Sequence, residues 1–152
     1  MAVSLPPGAK VITPDWRLAL STAGAGLLNL QVGFWPVALV HFAVAGLFAV
    51  QTQRVRFLLD EDSFEVVLNA GEGEVEKGGE NIVVGGENRW KYSTFTNWKF
   101  FPSESVPILV YFKETQTKPD GQIHFFPVLC NGQELLETMV AKDIPRLPEE
   151  EA

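Results

Sequence analysis

From Leu18 to Val50 the chain runs thirty-three residues without a single Lys, Arg, Asp or Glu. A run that long reads as material for a hydrocarbon environment rather than for a water-facing surface. It is not one uniform segment. Asn29, Gln31 and Gly33 interrupt it, and Pro36 follows, where it suits the first turn of a new helix. A single helix would carry Gly33 and Pro36 into mid-membrane, so two shorter helices are the better reading. Trp16 to Val32 gives seventeen residues and Phe34 to Thr52 nineteen, against a requirement of about 17–25 for a span. The expectation is a two-helix transmembrane hairpin over residues 15–53, with shallow re-entrant or interfacial helices as the alternative.

The flanks of the run support a membrane setting. Thr13 and Pro14 suit a helix cap and first helical position. Trp16 is the kind of residue that sits at a lipid–water boundary. Lys10 and Arg17 precede the run, Arg54 and Arg56 follow it, and the connecting turn is uncharged. The positive-inside rule then places both ends on the cytoplasmic or stromal side. Trp16, Arg17, Arg54 and Arg56 are the candidate membrane-interface residues. Ala19, Ala23 and Gly26 in the first helix, and Ala38, Ala45, Gly46 and Ala49 in the second, would let the two backbones approach closely.

Beyond Thr52 the chain changes character. Residues 1–56 carry four bases and one acid, whereas residues 57–152 carry eight bases and eighteen acids, a net of −10. An acidic domain repels nucleic acid over roughly 8–10 Å at ordinary ionic strength, so DNA and RNA are not expected partners. The lone Cys130 leaves no internal disulfide and no cysteine-rich metal site. The hydrophobic period here is that of strands: Arg54 to Leu59, Phe64 to Leu68, a ribbon at Glu74 to Lys77, Ile82 to Val84, Arg89 to Tyr92, Asn97 to Phe101, Val106 to Thr115 and Gln122 to Leu129. Lys118-Pro119-Asp120-Gly121 is a hairpin turn, with Pro fixing φ and Gly permitting positive φ. Asn131 with Glu134 starts a final helix whose apolar face is Leu135, Leu136, Met139 and Val140.

The expected fold is therefore α+β. It has a flexible tail (1–14), the membrane hairpin (15–53), a pleckstrin-homology-like antiparallel β-barrel or sandwich capped by a C-terminal helix (54–144), and an acidic tail (145–152). Two membrane helices followed by such a barrel resemble the bacterial membrane-anchored pleckstrin-homology-like proteins. More specifically, Gly86-Glu87-Asn88-Arg89-Trp90-Lys91-Tyr92, Asn97-Trp98-Lys99-Phe100-Phe101-Pro102, Pro107 to Glu114 and His124-Phe125-Phe126-Pro127-Val128-Leu129 resemble a cyanobacterial and plastid family, number 3119 in the domain-of-unknown-function series. The resemblance covers about residues 15–142. It implies a thylakoid or plasma membrane in a phototroph and supplies no catalytic residues.

Several side chains invite a function. Trp90, Tyr92, Phe95, Trp98, Phe100 and Phe101 are six aromatics in twelve residues. They are either core or a docking surface, and Trp90, Trp98, Phe101 and Lys99 are the candidate partner-binding residues. His41 is the one ionisable group within the uncharged run. It is either a neutral His bonded inside the hairpin, to Asn29 or Gln31, or an axial ligand to chlorophyll or haem. His124 reads as a surface or edge residue. Glu72, Glu74, Glu76, Glu80 and Glu87 match no calcium loop and read as a solvated acidic stretch. No nucleophile has a visible base, and no phosphate loop is present. The expected function is a membrane-anchored, non-enzymatic interaction protein, an assembly factor or accessory subunit of a photosynthetic membrane complex. It would need no cofactor and would have complex subunits and the bilayer as partners. The alternative is a lipid- or pigment-binding module using His41 and the barrel mouth.

Overall fold

The computed structural model describes residues 2–71, 73–79 and 85–148. The uncharged run forms α1 (Arg17–Gln31) and α2 (Trp35–Arg54), joined by a three-residue turn. Gly33 takes φ +83 there, a conformation open to Gly and strained for other residues. The helices fold back on each other through small residues. Ala19, Gly26, Ala38 and Ala45 are buried between them. A Cβ on Gly26 would come within 2.8 Å of Phe42 Cε1, so this glycine sets the helix spacing. Gly46, by contrast, faces open space.

The expected pair of membrane-spanning helices is corrected by this geometry. Only α2 is long and apolar enough among the described residues to cross a membrane. α1 has 15 residues, about 22 Å at 1.5 Å per residue, against a hydrocarbon core of about 30 Å. Its N-terminal end explains the shortfall. Thr13 and Pro14 do not start the helix, because that stretch is stitched to the C-terminal part of the chain. Asn131 N–H donates to Thr13 O (2.7 Å), Asp15 N–H donates to Leu129 O (3.1 Å), and Pro14 bridges Cys130. Helix α1 therefore begins only at Arg17, whose N–H is accepted by Asp15 Oδ1 at 2.8 Å.

The rest of the chain forms two antiparallel sheets. The first has the order β1-β5-β4-β3-β2, with β6 also on β4, from β1 (Ala2–Val3), β2 (Lys10–Val11), β3 (Val55–Leu59), β4 (Ser63–Gly71), β5 (Glu74–Lys77) and β6 (Arg89–Lys91). The second is a meander of β7 (Phe95–Pro102), β8 (Pro107–Glu114) and β9 (Gln122–Pro127). A single 3₁₀ turn, Tyr92–Thr94, carries the chain between them. The closed, pleckstrin-homology-like barrel is thus corrected too: among the described residues the two sheets do not pair with each other and the sandwich stays open. The expected strand at Ile82–Val84 lies outside the described residues, as do Glu72 and Glu80.

Residues 2–14, read from sequence as a tail, are part of the domain. They supply β1 and β2, and Ile12 is fully buried. Leu5, Ala9 and Val11 cover Leu58, Val67 and Val75 on the outer side of the first sheet. The main core lies between the sheets. It joins Phe57, Phe64 and Trp90 to Phe95, Trp98 and Phe112, and α3 (Gly132–Ala141) adds Leu135 and Met139. Asn131 caps α3 by accepting from Glu134 N–H at 3.0 Å. Glu134 does not close the capping box. Its carboxylate accepts Thr13 N–H at 3.0 Å and lies 3.6 Å from Lys10, holding the N-terminal stretch instead.

Candidate membrane and docking surfaces

The outer surface of the helical hairpin is largely apolar. Leu20, Leu27, Leu28, Leu30, Val32, Phe34, Trp35, Val37, Leu39, Val40, Leu47 and Val50 are all exposed. A monomeric soluble protein seldom shows so extensive a contiguous patch. Several polar side chains within the hairpin are turned back onto their own helices. Thr22 Oγ1 donates to Leu18 O, Asn29 Nδ2 to Ala25 O, and Thr52 Oγ1 to Phe48 O, at 2.7–2.8 Å. His41 does the same. Its Nδ1 lies 2.9 Å from Val37 O, so the ring is tied to its own helix rather than to Asn29 or Gln31. This is how polar groups are satisfied where no water is on hand.

Both feet of the hairpin stand on the same β domain. α1 is entered from Thr13–Asp15, which are bonded to Leu129 and Asn131. α2 continues without a break into β3. Trp16, 39% exposed, and the pair Asp15–Arg17 (2.6 Å) mark the first foot. The hydrogen bond from the Arg17 guanidinium holds the Asp15 carboxyl below its usual range. Arg54 is exposed in the last turn of α2. Arg56 is turned back to cap that helix, donating to Thr52 O (2.7 Å) and Val55 O (2.8 Å). The apolar surface carries on to the domain itself: exposed Val106 and Ile108 share an open groove of about 770 Å³ with Leu18 and Leu20.

The predicted partner-binding residues separate into two groups. Trp90 and Trp98 are 1% and 2% exposed and belong to the core. Trp98 Nε1 donates to Ile144 O at 2.9 Å, and the Arg146 guanidinium lies 4.5 Å from its ring centre. Phe101 and Lys99 lie on the outer face of the second sheet, with Lys99 Nζ 5.4 Å from the Phe101 ring. Two residues outside the predicted partner-binding set complete that face. Tyr111 and Phe125 each lie 6.2 Å from the Phe101 ring centre, edge-on and tilted, and 5.2 Å from each other, and Phe125 is 55% exposed. Strand alternation carried the signal, since Lys99, Phe101, Tyr111 and Phe125 are the outward positions of three paired strands.

His124 is neither at the surface nor isolated. It is buried, stacked on Phe112 and beside Trp90, and its Nε2 lies 2.8 Å from Glu114 Oε1. Glu114 Oε2 accepts Thr117 N–H at 2.8 Å. Asp60, also buried, is held by Arg89 at 2.6 Å, and Arg89 reaches Glu65 as well. These networks tie strand ends and turns together in the part of the domain away from the hairpin. Cys130 is buried and its thiol is pushed up to about 12, first by desolvation and then by Glu134 and Asp15. No group of three or more His, Cys, Asp or Glu is placed to hold a metal among the described residues.

No curated protein and no solved structure matches the chain. A family profile does, over residues 11–144, so the chain belongs to the family described as protein of unknown function (DUF3119).

Proposed function

We propose that this protein is a membrane-anchored, non-enzymatic interaction module. The hairpin seats in a bilayer as a re-entrant insertion, entering and leaving through one face, since α1 is too short to cross. The observation that carries this reading is the apolar surface of α1 and α2. Twelve large apolar side chains face outward there, and Thr22, Asn29, His41 and Thr52 are bonded within their own helices. One-sided insertion follows from the two feet. β2 pairs with β3 and β1 with β5, so the segment before α1 and the domain after α2 occupy the same side.

The aromatic face of the second sheet is then the surface left to a protein partner. Phe101, Tyr111 and Phe125 are rigid aromatic anchors of the kind that interfaces favour, with Lys99 lying over the Phe101 ring. Lys10, Arg17, Arg54 and Arg56 near the feet favour the cytoplasmic or stromal side for the domain. The family resemblance favours a thylakoid or plasma membrane and a subunit of a photosynthetic complex as the partner, with this chain as assembly factor or accessory subunit. The test is extraction of native membranes in mild detergent followed by native electrophoresis. The chain should co-migrate with a large complex, and Phe101→Ser with Phe125→Ser should release it. Migration only as a free small species in the native protein would refute the reading.

One observation favours a second reading. The bond from His41 Nδ1–H to Val37 O would fix the tautomer that leaves Nε2 as a lone-pair donor. A chlorophyll or haem ligated there would give the purified protein an absorbance that His41→Ala removes.

A further inference from the structure

Where α2 joins β3, the open sandwich has a mouth. A cavity of about 210 Å³ lies there, lined by Gln51, Val55, Phe57, Val66, Phe126 and Leu129 among others. Phe57 and Val66 are its buried floor, whereas Val55 and Phe126 pack against the core but stay half-buried, with no described residue closing over them. The lining is apolar apart from the Gln51 amide at the rim. An apolar cavity of this kind has few partners to offer water. Its size falls below the roughly 300–1,000 Å³ of pockets that enclose compact ligands, so a macrocyclic pigment does not fit, whereas the end portion of a single flexible chain does. Gln51 also fixes its level. It follows Val50, the last residue of the uncharged run, so the mouth opens at the edge of the hydrocarbon layer in which the hairpin is proposed to sit.

We infer that this mouth takes one acyl chain of a bilayer lipid, which leaves the membrane along the end of α2 and inserts between the sheets. The inference rests on the membrane reading above and goes beyond it by giving the domain its own lipid site. The chain would cover Val55 and Phe126, removing from water apolar surface that the sandwich itself does not bury.

The full-length protein, reconstituted in phosphatidylcholine vesicles, is photolysed with a phosphatidylcholine bearing a diazirine at the end of one acyl chain. The expected result is label on the peptide carrying Phe126–Leu129 as well as on α1 and α2. Val55→Trp, which fills the mouth, should abolish the first label and spare the helices. Label confined to the helices of the native protein would overturn the lipid site while leaving the membrane reading intact. Label absent from the helices as well would overturn both. Persistence of the Phe126–Leu129 label in a folded Val55→Trp protein would also overturn the site. Should that variant not fold, the map of the native protein decides alone.

Discussion

Leu47→Asp separates a lipid-facing hairpin from one that packs in water. Leu47 is 56% exposed and twelve residues along α2 from Trp35, about 18 Å from the turn at 1.5 Å per residue. That is well inside a hydrocarbon layer of about 30 Å. If the surrounding medium is lipid, an ionised Asp there costs about 2.5–3.5 kcal/mol. At about 1.4 kcal/mol per tenfold, membrane partition should fall by roughly a hundredfold. If the medium is water, the cost is smaller. Full burial of a Leu contributes about 1.5–3 kcal/mol, more than half of this side chain is already exposed, and the helix propensity difference adds only about 0.5 kcal/mol. Partition to neutral vesicles by flotation at pH 8 reads the first effect. Far-ultraviolet dichroism in mild detergent checks that the fold is kept. A folded Leu47→Asp protein that floats like the native one would refute the claim that this surface meets hydrocarbon.

Three further outcomes follow from the β domain. Phe125→Ser and Phe101→Ser should cost under about 1 kcal/mol, as exposed positions do, yet abolish co-migration with the partner; Trp98→Ala should cost about 3–5 kcal/mol because it empties the core, read by urea titration. Glu114 is held below its ordinary value: burial pulls it up, but hydrogen bonds from Thr117 and His124 outweigh that. Its contribution is therefore fully present above the ordinary carboxylate value and is lost as pH falls through the lower folded value. Glu114→Ala should cost about 1–3 kcal/mol by orphaning Thr117 N–H and His124 and should flatten the acid limb of a stability–pH curve. Cys130, with its thiol pushed up to about 12, should resist iodoacetamide at pH 8 in the native protein and react on unfolding. Rapid native alkylation would contradict the buried placement.

Much of the β domain is legible from local pattern. Alternation locates β3, β4, β7, β8 and β9, and the Lys118–Gly121 turn and the Asn131 cap appear where their chemistry places them. What the pattern does not carry is long-range. Residues 2–14 look like a tail because Pro6, Pro7 and Gly8 break any run. They become strands through pairing with β5 and β3 and through Glu134, more than a hundred residues away. The same tether delays the start of α1 to Arg17, which turns a seventeen-residue apolar segment into a helix too short to span. Trp90 and Trp98 stand among aromatics that read either as core or as a docking surface, and the packing of the two sheets puts both in the core. His124 was recoverable. The turn at Lys118–Gly121 sets Phe112 opposite His124 and Glu114 opposite Gln122, so the even-numbered side chains share the inner face. The order in which two sheets pack, and whether they close, depends on contacts far apart in the chain, and for that reason the barrel reading failed.

The central claim is that the hairpin lies in a bilayer while both the chain before it and the domain after it stay on one side. Single cysteines at Ala2, Leu47 and Thr117, in a Cys130→Ser background, test it directly in sealed vesicles with a membrane-impermeant maleimide. The account predicts that Ala2 and Thr117 react from the same side and that Leu47 reacts only after detergent is added. Labelling of Leu47 in intact vesicles, or of Ala2 and Thr117 from opposite sides, would contradict it.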